Sequence, residues 1–127
     1  HKGTKAANLA KAYAGISLAK LGRYEEAIPM LKAFKGNDLM VAPSVLAALG
    51  NCYAQVGEEA QAAATLVKAA QKADNNLLSP AYLIQAGQIY EKLGKKADAL
   101  KAYTEIKEKY YGSMQAMDID KYIERVK

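Results

Sequence analysis

Few side chains in this sequence could do chemistry, and they are scattered. The only histidine is His1 and the only cysteine is Cys52. Acid–base or nucleophilic catalysis needs titratable groups that converge on one pocket. A metal centre needs several His, Cys or carboxylate ligands together. One histidine at the first position cannot form a catalytic His pair. Asp118 and Asp120 lie two residues apart, so a helix turns them to different faces and no metal pair is expected there. The nine glycines are dispersed, and no Gly-rich run ends in Lys-Ser or Lys-Thr to cradle a phosphate. The expectation is a non-enzymatic chain with no cofactor and no metal, whose chemistry is that of recognition.

The groups that recognise a partner must be held by a scaffold, and one skeleton occurs three times. The clearest copy reads Ala86-Gly87, Tyr90, Gly94, Ala99, Tyr103. Upstream copies read Leu49-Gly50, Tyr53, Gly57, Ala62, Leu66 and Ala14-Gly15, Leu18, Gly22, Ala27, Leu31. Each copy encodes two helices back to back. The leading Gly removes a side chain where one helix approaches another closely. The Tyr or Leu three residues on lies on nearly the same face and covers that contact. The second Gly ends the first helix in a left-handed cap. The Ala five residues later faces inward on the second helix, and the last aromatic or Leu fills the same face one turn on. Each pair leaves an apolar side uncovered, so the pairs must stack.

The leading glycines stand 35 and 37 residues apart, near the unit of about 34 residues in tetratricopeptide repeats. On that skeleton and spacing, nearly the whole chain resembles the tetratricopeptide repeat family, in three copies. It departs from the family pattern in lacking the early Trp, whose place is taken by Lys11, Leu46 and Leu83, and in lacking the late Pro. The resemblance implies an all-α fold: an α-solenoid of three helix-turn-helix repeats plus a C-terminal capping helix, about seven helices in a single domain over 1–127. Repeats are expected near 5–36, 43–74 and 80–111, and the cap at 113–126. Cys52 falls where the family has a small packed residue, which implies a buried, inert thiol.

Composition agrees with one helical unit. The chain has 127 residues, 51% of them hydrophobic, with no Trp, one Phe and nine Tyr. A Tyr hydroxyl needs a partner or water, so these rings are expected at groove rims or at seams between repeats. A single Cys excludes an internal disulfide and leaves the compartment open. No apolar run reaches the ~18 residues of a membrane span. The net charge is +5. The lysines densest in sequence, from Lys92 to Lys109, are interrupted by Asp98, Glu105 and Glu108, which reads as a solvated mixed-charge face. No nucleic-acid partner is expected, because aromatic and basic residues do not interleave.

Taken in order, helix 1 is predicted over Lys5 to Lys20 with Thr4 as N-cap and an apolar line through Ala14, Leu18 and Leu21. Helix 2 is predicted from Tyr24 to Lys35, bent slightly at Pro29. Pro43 and Pro80 are each placed at a first helical position, giving helix 3 over Pro43 to Val56 and helix 5 over Pro80 to Leu93. Helix 4 is predicted over Glu58 to Ala73 and helix 6 over Lys96 to Tyr110. The apolar pairs Leu39-Met40 and Leu77-Leu78 are expected to anchor the linkers to the stack. Helix 7 is predicted from Met114 to Val126, capped by Ser113. Gly3-Thr4-Lys5-Ala6-Ala7 echoes Gly112-Ser113-Met114-Gln115-Ala116, so at least one more helix, or a membrane anchor, is expected upstream of His1.

In the family, residues of each first helix line the concave surface. The residues this implies are Leu9, Ala12, Ile16, Ala19 and Lys20 in the first repeat, Ser44, Ala47, Asn51, Ala54 and Gln55 in the second, and Ala81, Ile84, Gln88, Glu91 and Lys92 in the third, with Ile16, Lys20, Asn51, Gln55, Ile84, Gln88, Glu91 and Lys92 as the expected binding set. They run from apolar to charged, which suits an extended or helical peptide with one apolar end. The family's carboxylate-gripping groove is not implied: Asn51 alone matches it, with Ala12, Ile16, Ala81 and Gln85 at its other positions. The leading expectation is a module that binds a protein or peptide. The alternatives are a structural spacer or self-associating element, and an accessory domain of an enzyme outside this chain. The Tyr-x-Gly-Ser run at 110–113 loosely resembles tetratricopeptide domains of bacterial cell-envelope assembly proteins, which implies an envelope, periplasmic placement.

Overall fold

The computed structural model describes residues 4–36 and 40–127. Seven α-helices follow one another, and no strand occurs among the described residues. They are α1 (Lys5–Lys20), α2 (Tyr24–Ala33), α3 (Val41–Gln55), α4 (Glu59–Ala73), α5 (Ser79–Lys92), α6 (Lys96–Lys109) and α7 (Ile119–Arg125), with a 3-10 turn at Gln115–Asp118 before the last. Each helix packs on the next, so the chain is an all-α repeat solenoid.

The leading glycines mark the close approaches. A Cβ on Gly15 would stand 2.7 Å from the Leu31 side chain, and one on Gly50 2.9 Å from Leu66. One on Gly87 would overlap the Tyr103 ring. The +16 residue of the skeleton is thus the knob that each leading glycine receives. Ala27, Ala62 and Ala99 are fully buried beside these contacts. Gly57 ends α3 at φ +87°, where a Cβ would be strained. The Glu58 N–H donates to the Tyr53 carbonyl at 2.8 Å and the Gly57 N–H to Ala54 at 3.2 Å, the paired bonds of a left-handed helix end. The ends of α1 and α5 repeat the pattern.

The core is continuous along the stack. Ala12, Leu31, Val45, Leu49, Cys52 and Tyr53 pack in the first half. Leu83, Tyr103, Ile106, Tyr110, Ile119 and Ile123 pack in the second. Leu66, Ala63 and Ala86 lie between them. Tyr103 and Tyr110 send their hydroxyls to the seams, onto Glu91 at 2.5 Å and Asp74 at 2.8 Å.

Several expectations are corrected. The buried face of α1 is Ala12 and Gly15, and Leu21 is 71% exposed; the contact of Gly15 with Leu31 sets the rotation of α1 and turns Leu21 outward at its end. Helix 2 stops at Ala33, two residues early, because Phe34 is extended at ψ 131°. Helix 3 starts at Val41, so Pro43 is its third residue; its missing N–H still falls in the first turn, which has no intrahelical acceptor. Helix 5 starts at Ser79 and Pro80 is its second residue. Helix 7 is split: the Ser113 Oγ accepts the Ala116 N–H at 3.2 Å and starts the 3-10 turn, and α7 follows at Ile119. Met40 and Leu77 are 84% and 81% exposed, so their side chains do not pack into the stack. The α4–α5 linker is held by polar groups instead. The Asn75 side-chain carbonyl accepts the Leu77 and Leu78 N–H groups, and the buried Ser79 hydroxyl donates to the Ala70 carbonyl at 2.6 Å. His1, Gly3 and Asn37-Asp38-Leu39, on which the two sequence echoes partly rest, lie outside the described residues.

Candidate functional site

The residues expected on the concave face share a helix register. Ile16, Asn51 and Gln88 each stand one residue after a leading glycine, and Lys20, Gln55 and Lys92 five after. A helix turns about 100° per residue, so these positions lie away from the glycine face that packs inward.

The first two repeats bring four of the eight expected residues together. Ile16, Lys20, Asn51 and Gln55 surround a cavity of about 400 Å³, completed by Ala19, Tyr24, Ala48 and Cys52. Lys20, Asn51 and Gln55 are exposed and Ile16 is half-buried. The cavity offers an apolar floor, two amides and one ammonium. Tyr24 and Ala48 were not read from the sequence. The signal for Tyr24 was its place directly after the Gly22-Arg23 cap, which folds the start of α2 back beside the end of α1. Cys52 is fully buried, and burial pushes its thiol pKa up.

The third repeat is arranged differently. Ile84 is half-buried against the α5–α7 core, and Gln88 is exposed on α5. Glu91 turns to its own chain: Arg125 donates to it from Nε at 3.1 Å and from an Nη at 2.9 Å, and the Tyr103 hydroxyl donates as well. Arg125 also lies 4.7 Å from the Tyr122 ring centre. Lys92 donates to Glu59 at 2.9 Å. Arg125 stands 34 residues beyond Glu91, one repeat length, and that spacing was the signal by which the pair could have been found.

The Glu91 cluster docks the C-terminal helix. The Arg125 hydrogen bond, with that of Tyr103 behind it, holds the Glu91 carboxyl below the usual carboxylate range. A carboxylate depressed in the fold contributes stability above its unfolded pKa of about 4.3 and loses it as pH falls through the lower folded value. The urea midpoint should therefore fall on acidification from pH 7 to pH 3, and Glu91→Gln should remove part of that dependence. An equal acid response in wild type and Glu91→Gln would show that this carboxylate does not contribute.

Among the described residues no group of three or more His, Cys, Asp or Glu could hold a metal, and no helix is long and apolar enough to cross a membrane. Asp118 and Asp120 do not converge: Asp120 accepts Lys107 at 2.7 Å.

A family model for the tetratricopeptide repeat matches residues 80–108. The chain carries a tetratricopeptide repeat. The match covers all but the first residue of α5 and all but the last residue of α6, and the other two hairpins reproduce the glycine, alanine and +16 contacts of this tetratricopeptide unit. No curated protein and no solved structure matches the chain. Tetratricopeptide repeats generally mediate contacts between proteins.

Proposed function

We propose that this chain is a non-enzymatic interaction module that takes a peptide segment of a partner protein on its concave face. The observation that carries the reading is the cavity of about 400 Å³ bounded by Ile16, Lys20, Asn51 and Gln55. Ile16 and Ala19 supply an apolar seat, Asn51 and Gln55 supply both donors and acceptors for a peptide backbone, and Lys20 favours an anionic group. Gln88 extends the polar track along the stack. Glu91 and Lys92 are engaged within the chain, so they enter as parts of the wall. A bacterial-envelope placement rests on the loose resemblance at 110–113 alone.

The test is selection of binding peptides from a random library, followed by titration. Asn51→Ala with Gln55→Ala should weaken a selected peptide about tenfold, the loss of roughly 1.4 kcal/mol, with helicity unchanged because both side chains are exposed. Unchanged affinity for every selected peptide would remove this face from the reading.

A further inference from the structure

A second opening lies on the other side of the molecule. It runs between the end of α2 and α4, has a volume of about 530 Å³, and is floored by Val45, Leu46 and Leu49 of α3. Ala42 and Asn51 are nine residues apart on α3, about half a turn of the helix circle, so this groove and the concave cavity face opposite ways.

Its origin is a missing helical turn. α2, α4 and α6 each begin two residues after a capping glycine, but α2 spans 10 residues where α4 spans 15 and α6 spans 14. The deficit exceeds one turn of about 3.6 residues. The matching groove between α4 and α6 is the internal control. It is lined at equivalent positions and has a volume of only about 120 Å³. There α4 continues through Val67 and Gln71, whereas Gly36, which matches Gln71, lies beyond the end of α2.

Charge differs as much as width. Lys32, Lys68 and Lys72 line the wide groove, and no Asp or Glu among the described residues does. The narrow groove has Asp98 and Glu105 where the wide one has Gln61 and Lys68. Lys101 lines the narrow groove at the position that Ala64 holds in the wide one. A cationic rim over an apolar floor selects an occupant that is apolar on one side and anionic on its flanks. The vacancy is that of a helical turn lying open to solvent, which suits a helix with its own polar face rather than a single acyl chain needing enclosure.

We propose that the α2–α4 groove is a second docking site, for an amphipathic helix of a partner protein whose apolar stripe is flanked by carboxylates. The apolar stripe covers Val45, Leu46 and Leu49, and the carboxylates meet Lys32 and Lys68. Truncated burial at this junction gives the site; the concave face plays no part in it.

The probe is a fluorescein-labelled synthetic helix of about four turns, with Leu at i, i+3, i+4 and i+7 and Glu on both flanks. Its anisotropy should rise saturably on titration with the full chain. Lys32→Glu with Lys68→Glu should weaken it at least tenfold, as reversal of close charge pairs does, and both lysines are exposed, so helicity by circular dichroism should not change. The same probe with Lys for Glu should fail to bind. Asn51→Ala with Gln55→Ala should leave its affinity unchanged, which separates this site from the concave one. Absence of saturable binding, equal binding of the Lys probe, indifference to the double reversal, or loss of binding in the Asn51/Gln55 variant would each overturn the proposal. So would saturable binding of oleate at this groove with none of the acidic helix.

Discussion

Replacing Tyr103 by Ala should cost the fold about 3–5 kcal/mol, the range for emptying a buried aromatic site. Tyr103 is the largest fully buried side chain among the described residues. Its ring fills the hollow over Gly87 on α5, and the Tyr122 ring of α7 packs on it at 5.3 Å between centres, tilted by 59°. Its hydroxyl donates to Glu91, the carboxylate that also holds Arg125. One side chain therefore joins α5, α6 and α7. A domain of this size has about 5–15 kcal/mol in total, so the loss is a large fraction and the urea midpoint should drop accordingly. Tyr103→Phe keeps the ring and removes only the hydroxyl, a bond to a charged acceptor worth about 1.5–3 kcal/mol. The expected order is wild type, then Phe, then Ala. Equal midpoints for Phe and Ala would mean that the hydroxyl, not the packing, is the reason for a tyrosine here.

The fold was legible because its determinants are short-range and repeat. Gly87 and Tyr103, or Gly50 and Leu66, are sixteen residues apart and meet in the same way in each hairpin, so their pattern survives in one sequence. The capping glycines were legible for the same reason: Gly22, Gly57 and Gly94 all take positive φ. What the sequence hid depends on the end of a helix or on a neighbour one repeat away. The stop of α2 at Ala33, two residues before its expected end, has no Gly or Pro at Phe34 to announce it. Leu21 follows the helix-1 period, but the rotation of α1 is set by Gly15 against Leu31, a contact with another helix. Glu91 and Lys92 looked like free groove groups because their partners, Arg125 and Glu59, lie 34 and 33 residues away. The concave residues of the first two repeats share a cavity because Ile16 and Asn51 occupy one register. That register was readable in the glycines, whereas what binds to it was not.

Gly87→Val should cost about 3 kcal/mol, the upper end of the range for inserting bulk into a packed site. A Cβ at Gly87 has nowhere to go: it would overlap the Tyr103 ring, which is held from the other side by Tyr122. Ala is the sharper probe, because it adds one carbon and gains helix propensity of about 1 kcal/mol over Gly. At Gly15 these terms should nearly cancel. There the Cβ would stand 2.7 Å from the Cγ and a Cδ of the buried Leu31, a milder overlap that offsets the helix gain. At Gly87 the overlap should win, leaving Gly87→Ala net destabilising. The decisive measurement is the double-mutant cycle of Gly87→Ala with Tyr103→Ala. Once the ring is gone the added methyl meets empty space and keeps only its helix gain. The second substitution should then be neutral or stabilising, with a coupling of about 1–3 kcal/mol between the two sites. Additive losses would mean that the ring and the glycine do not make room for each other, and that the packing contact repeated along the stack is not what fixes helix to helix.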